Sequence, residues 1–260
     1  MPILELNGLR AEYLQEGRGP HLLMLHSLLT DLTVFERVLA SLRAARRVTL
    51  VNLPGFGLSS PVKLESVADH ADHLSRVMDA LALPRDTDVF GNGFGAFVAL
   101  ELAVRHGGRF RRLVVADTLA AFPEPARAPF RGMAERVCSG GMAAVLETAI
   151  GRMFPPAFTE ANAAAVAARK KALAAVDPEC FARACIALAG LDLTGRLDAI
   201  RNPALVLCGA LDQTTPPALA RELAKRVALA RYEDIPGSGH CPMLEQPDAL
   251  VRLIEGFLGS

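Results

Sequence analysis

Apolar positions in the first half of the chain follow two rhythms. Short unbroken runs, HLLMLH at His21–His26, RVTLVN at Arg47–Asn52 and RLVVAD at Arg112–Asp117, read as strands buried on both faces. Between them the spacing is helical. Across Glu65–Leu83, residues Val67, Ala71, Leu74, Val77, Met78 and Leu81 line one stripe. Val34–Arg43 reads as a shorter helix, and another follows the strand Asp88–Phe90 and runs to His106. At the start, Ile3–Asn7 and Ala11–Glu16 flank Asn7-Gly8, a hairpin signal. Strands separated by helices predict right-handed crossovers and a mostly parallel, twisted sheet flanked by helices.

The strand rhythm stops after Asp117. From Leu119 to Leu193 the pattern is helical and Ala-rich, punctuated by FPEPARAP, SGG, FPP and VDP, which predicts about four helices. Alternation then resumes: Ala204–Gly209 as strand, Pro217–Val227 as helix, Ala230–Ile235 as strand, Gln246–Leu258 as helix. The expectation is one α/β core, residues 1–118 and 194–260, interrupted after its sixth strand by an all-helical segment, 119–193.

Composition narrows the function. The 260 residues are half apolar, and 28 basic residues balance 28 acidic ones, so no charge excess points to nucleic acid or an anionic membrane. Five scattered cysteines (Cys138, Cys180, Cys185, Cys208, Cys241) lack the pairing of a disulfide framework or a zinc site. The opening MPILELNGLRAEYLQEG reads as neither signal peptide nor membrane anchor. These features predict a soluble, cytoplasmic protein with no nucleic-acid or membrane partner and no metal; the further expectation is a small-molecule substrate or ligand and no cofactor. Oligomeric state leaves no mark in the sequence.

Four segments fall where strands end, and ligands of parallel sheets bind outside those ends. The first is VFGNGFGAF, Val89–Phe97, with the shape of the strand-to-helix turn G-x-S-x-G, but with Gly93 at the middle position. A plain glycine-rich link and a phosphate-binding turn are alternatives; GNGFGA lacks the P-loop lysine. The second is GSGHCPMLEQP, where His240 follows the last strand and suits a general base. The third is CGALDQTTPP, where Asp212 can orient that histidine or simply cap a helix. Asp117, ending RLVVAD, is a second candidate for the same task. The fourth is LHSLLTD, where His26, Ser27 and Leu28 leave a strand. Their backbone N–H groups, with that of Phe94, can form an oxyanion or substrate pocket. Ser27 as a hidden nucleophile is the less favoured use of this segment.

Together LHSLLTDLTVF, LPGFGLSSP, GNGFGAFVALELAVRHGGRFRRLVV, CGALDQTTPP and GSGHCPMLEQP resemble the α/β-hydrolase fold family. They look closest to 3-oxoadipate enol-lactonases and the carbon–carbon bond hydrolases of aromatic breakdown, and they stand in the family's order. The resemblance implies that 119–193 is a cap over the substrate. It implies that Gly93 holds the nucleophile position without its side chain, with Asp212 the acid and His240 the base. Ser27 or Leu28 with Phe94 would supply the oxyanion N–H groups. Asn52 stands where an aspartate is usual before LPGFG.

With no serine at position 93, three readings stay open. One is an enzyme acting on a small carbonyl compound, lactone or ester through a His–Asp dyad, either by activating a water in the space left over Gly93 or by abstracting a proton. Another is a non-catalytic binding protein. The last is an inactivated variant of a serine hydrolase.

Other groups favour structural roles. In DHADH, Asp69–His73, His70 faces the apolar stripe and the aspartates face away, which disfavours a metal site. Cys241, adjacent to His240, is badly placed to pair with it. Arg127, Arg131 and Arg136 can attract a carboxylate but read better as solvated helix faces. Phe122, Phe130, Met133, Met142, Met153, Phe154 and Phe158 supply apolar surface for a pocket or for packing.

Overall fold

The structure, a computed structural model, describes residues 1–259. Strands β1 (Ile3–Leu6) and β2 (Leu9–Glu16) form the expected hairpin, with Asn7 at φ 52° and Gly8 at φ 80°. Positive φ at both central residues matches the twist of the flanking strands. The remaining strands are β3 (His21–Leu25), β4 (Arg47–Val51), β5 (Asp88–Asn92), β6 (Leu113–Ala116), β7 (Ala204–Gly209) and β8 (Ala230–Ile235). All eight make one sheet in the order β1-β2-β4-β3-β5-β6-β7-β8. β2 pairs antiparallel with β1 and β4, and every later pair is parallel.

Every residue of β5, β6 and β7 is buried, which accounts for their unbroken apolar runs. β8 lies at the edge and exposes alternate residues. Helices α1 (Glu36–Ala45), α2 (Val67–Ala80), α3 (Phe94–His106), α9 (Pro217–Arg226), α10 (Pro242–Glu245) and α11 (Pro247–Leu258) flank the sheet. α2 packs on α3, and α1 on α11. α1 starts two residues later than the pattern suggests, because a 3-10 turn over Leu32–Phe35 precedes it, capped by Asp31.

The segment between β6 and β7 holds α4 (Glu124–Gly140), α5 (Leu146–Met153), α6 (Pro156–Ala161), α7 (Ala163–Ala174) and α8 (Pro178–Gly190). That is five helices where the punctuation gave four. The extra break is Asn162, whose φ of −130° and ψ of 46° divide a continuous Ala-rich run. An isolated antiparallel bridge between Ala121 and Asp192 closes the base of the segment. Buried Arg169 of α7 reaches across to the loop after β3, 3.0 Å from Asp31 Oδ1 and 2.7 Å from Thr33 Oγ1. Among the described residues, no helix is long and apolar enough to cross a membrane.

DHADH behaves as its periodicity implies. Asp69 completes a capping box with Ser66, and Asp72 binds Arg105 and His106. His70 is buried edge-on against Phe94, with ring centroids 4.9 Å apart. The four side chains do not converge.

Candidate active site

Gly93, at φ 52° and ψ −117°, directly follows β5, and α3 starts with the next residue. Only glycine takes such dihedrals without strain. The approach of helix to sheet is equally close: Gly95 N–H donates to the His26 carbonyl at 3.0 Å, and a Cβ on Gly95 would sit 2.6 Å from that oxygen. The glycines therefore bring the start of α3 onto the end of β3.

The loop after β8 brings His240 over this turn. Asp212, in the loop after β7, accepts through Oδ2 from His240 Nδ1 at 2.8 Å, and both residues are buried. That hydrogen bond leaves Nε2 as the basic atom of the ring. Nε2 lies 2.9 Å from the point that a Cβ on Gly93 would occupy. Burial pulls the imidazole pKa down, but the charge and hydrogen bond of Asp212 outweigh it and raise the group above its ordinary 6.5. Asp212 is also penalised by burial. Its neighbour His240, together with donors Thr215 Oγ1 at 2.5 Å and Thr215 N at 3.1 Å, brings it down to about 2; Thr214 N also donates to it, at 2.7 Å.

Asp117 is nearby but differently engaged. It holds a left-handed φ of 57°, accepts from Gly209 N at 2.8 Å and from Asn92 Nδ2 at 2.7 Å, and makes no bond to His240. Burial, then the Asp212 charge, raise its pKa well above the carboxylate range. Polar atoms of Asp117, Asp212 and His240 lie within 4.8 Å of one another. The carboxylate oxygens already face protein donors, so the cluster is built as a hydrogen-bonded chain rather than as an open ligand set.

Two further groups hold the histidine loop, and neither was singled out from the sequence. Glu245 accepts from Gly239 N at 2.6 Å and Cys241 N at 2.9 Å, clasping His240 from both sides. Asn92 Nδ2 donates to the His240 carbonyl at 3.2 Å. The helical segment joins in: His240 N–H donates to Met153 O, and Thr214 Oγ1 to Arg152 O, each at 3.1 Å.

The loop after β3 corrects two expectations. His26 does not line the site. Its Nδ1 donates to Ser27 O at 2.8 Å, its Nε2 accepts from Leu53 N–H at 3.0 Å, and burial drives its pKa down to about 4. It is a neutral strut beneath the loop. Ser27 N–H is likewise spent, donating to Thr30 Oγ1 at 3.1 Å. The N–H groups of Leu28 and Phe94 bond to no described residue and are free to donate. A Cβ on residue 93 would lie 2.4 Å from the hydroxyl oxygen of Ser27, closer than van der Waals contact.

A narrow inner pocket of about 20 Å³, lined by Ser27, Leu28, Gly93, Phe94, Phe130 and His240 among others, lies over the turn. It adjoins an open cleft of about 860 Å³ that also reaches His240. Arg152 borders both. Its guanidinium lies over the Phe130 ring, 5.1 Å from the centroid, and has no ion-pair or hydrogen-bond partner among the described residues. Burial lowers its pKa. Arg127 and Arg131, by contrast, pair with Glu124. In the sequence Arg152 is one arginine in an α-helical stretch; which face it takes depends on how α5 packs.

A family model described as the alpha/beta hydrolase family matches residues 22–253. The chain is 32% identical to the pimeloyl-[acyl-carrier protein] methyl ester esterase of Aromatoleum aromaticum, over 91% of this chain and 97% of that one. It is 31% identical, over 98% of its length, to the polyketide synthase ThaQ of Burkholderia thailandensis, of which it spans only 12%. Its fold superposes on the enol-lactonase of Burkholderia xenovorans LB400 with a TM-score of 0.92 and 27% identity, covering 100% of both chains. These relatives include hydrolases of esters and of an enol-lactone. Since the family match runs from the first parallel strand into the last helix and takes in everything between, the chain belongs to the alpha/beta hydrolase family.

Proposed function

We propose that this protein hydrolyses a small ester or lactone that carries an anionic group. His240, oriented by Asp212, acts as general base, and the N–H groups of Leu28 and Phe94 hold the oxyanion. Residues 119–193 form the cap. The observation that carries this reading is the buried 2.8 Å His240–Asp212 pair with its free nitrogen aimed at Gly93. A pocket that only held a ligand would gain nothing from a desolvated imidazole–carboxylate pair. The attacking oxygen comes from a group other than residue 93, which has no side chain. Direct proton abstraction would use the same base, but the named relatives favour hydrolysis.

Arg152 supports the anionic substrate. An unpaired guanidinium beside a largely apolar pocket is a ready carboxylate partner. Arg152→Met is expected to raise KM about tenfold or more for a half-ester of a dicarboxylic acid, given the ~1.5–3 kcal/mol of a charged hydrogen bond. KM for a neutral ester of the same length stays near its original value. Steady-state kinetics on the two esters provide the check. An equal change for both would remove the charge-reading role.

A further inference from the structure

Gly93 leaves out a hydroxyl, and the fold puts another almost in its place. We propose that Ser27 Oγ is the nucleophile of this site, activated by His240 across the bare turn. The inference rests on the hydrolase reading above and adds the group that attacks.

The geometry is specific. Ser27 Oγ overlaps the position that a Cβ on residue 93 would take, and His240 Nε2 lies 2.9 Å from the same point. Base and hydroxyl thus face one another over Gly93. No hydrogen bond joins the two atoms in this structure, and neither bonds to another described residue, whereas His240 Nδ1 is committed to Asp212.

The backbone of Ser27 is fixed. Its N–H donates to Thr30 Oγ1, and its carbonyl accepts from His26 Nδ1 at 2.8 Å and Thr30 N at 3.2 Å. Only the hydroxyl is spare. A side chain held in this way on a rigid base is preorganised for attack.

The oxyanion donors also fit. In a nucleophile turn one donor is the N–H of the residue after the nucleophile. For Ser27 that residue is Leu28, and Phe94 supplies the second donor from the facing loop. The two N–H groups named above therefore serve Ser27 as well as they would serve a residue at 93, with their parts exchanged. β3 and β5 are neighbours in the sheet, and this brings the two loops face to face.

The chemistry closes without a further reagent. Ser27 Oγ bonds to the carbonyl carbon as its proton passes to His240 Nε2. The carbonyl π pair moves onto oxygen, where Leu28 and Phe94 hold it. Collapse breaks the bond to the leaving alkoxide, which takes the proton from His240 and leaves an ester on Ser27. Water then attacks that ester, giving its proton to His240. The acid departs and the proton returns to Ser27 Oγ.

The test is covalent labelling of the unmodified chain with a fluorophosphonate, followed by tryptic mapping. The peptide Gly19–Arg37 contains Ser27 as its only serine. One equivalent of adduct on that peptide is expected. Ser27→Ala should lose both the adduct and at least about 10³-fold in p-nitrophenyl acetate turnover. Ser27→Cys, which keeps a nucleophile of similar size, should be alkylated by iodoacetamide in the folded protein. Absence of adduct from Gly19–Arg37 at saturating probe overturns the proposal. So does turnover by Ser27→Ala within about threefold of the original, the outcome expected of a hydroxyl that merely donates to the oxyanion. If His240→Ala still abolishes turnover in that case, the dyad reading survives without Ser27. If His240→Ala is also without effect, both readings fall.

Discussion

Replacing His240 with alanine lowers kcat/KM for ester hydrolysis by at least about 10²-fold, the range that a positioned general base contributes. The fold should survive the change. Asp212 keeps three donors, Thr214 N, Thr215 N and Thr215 Oγ1, so its buried charge is not orphaned. Stability does shift with pH. The imidazole pKa is raised on folding, so the pair adds stability below the ordinary value of 6.5 and loses it as pH rises through the raised value. The variant is therefore best compared above that range, where loss of the ring removes little more than packing. Kinetics beside a circular-dichroism melt separate the two effects. A melt unchanged with turnover unchanged would take His240 out of the chemistry.

Gly93→Ser is expected to cost stability and gain little. The new Cβ would sit at φ 52°, overlap Ser27 Oγ and lie 3.0 Å from Ser27 Cβ. Left-handed strain and the overlap together amount to about 1–3 kcal/mol. For a chain of this size that is a fall of roughly 2–10 °C in melting temperature. Adding Ser27→Gly removes the overlapping atoms. The double variant should recover part of the lost stability, react with a fluorophosphonate at position 93 and turn over p-nitrophenyl acetate. The physical reason, on the proposed reading, is that a triad's other parts are in place: a positive-φ turn, a histidine aimed at its tip and two open N–H groups. Labelling at position 93 in neither variant, with both folded, would show that the histidine and oxyanion groups do not share a reacting point.

The sheet was largely legible in the sequence, because burial on both faces writes itself as unbroken apolar runs and the crossovers as helical stripes. Asn7-Gly8 located the hairpin through its backbone demands. His240 and Asp212 were legible for a related reason: each follows a strand, and parallel strands deliver their ends to one edge. What lay beyond the strands was less readable. Asn162 breaks a helix with a side chain that is no strong breaker. Glu245 reads as an ordinary acid in a first helical turn, yet its two oxygens clasp the histidine loop. His26 faces inward because Leu53 N–H offers it a partner, a contact between segments 27 residues apart. The encounter of Ser27 with Gly93 depends on β3 lying beside β5 and on a missing Cβ, neither of which is a property of one segment.

The pH dependence of kcat/KM in the unmodified protein and in Asp212→Asn bears most directly on a histidine base held by Asp212. kcat/KM reports groups in the free enzyme, and the base must be neutral to accept a proton. The acid limb of the unmodified protein should therefore have its midpoint above 6.5, because Asp212 raises the His240 pKa. In Asp212→Asn the midpoint should move down and the plateau should fall. An acid limb at or below 6.5, or one that stays in place when Asp212 loses its charge, would contradict a base built from these two residues.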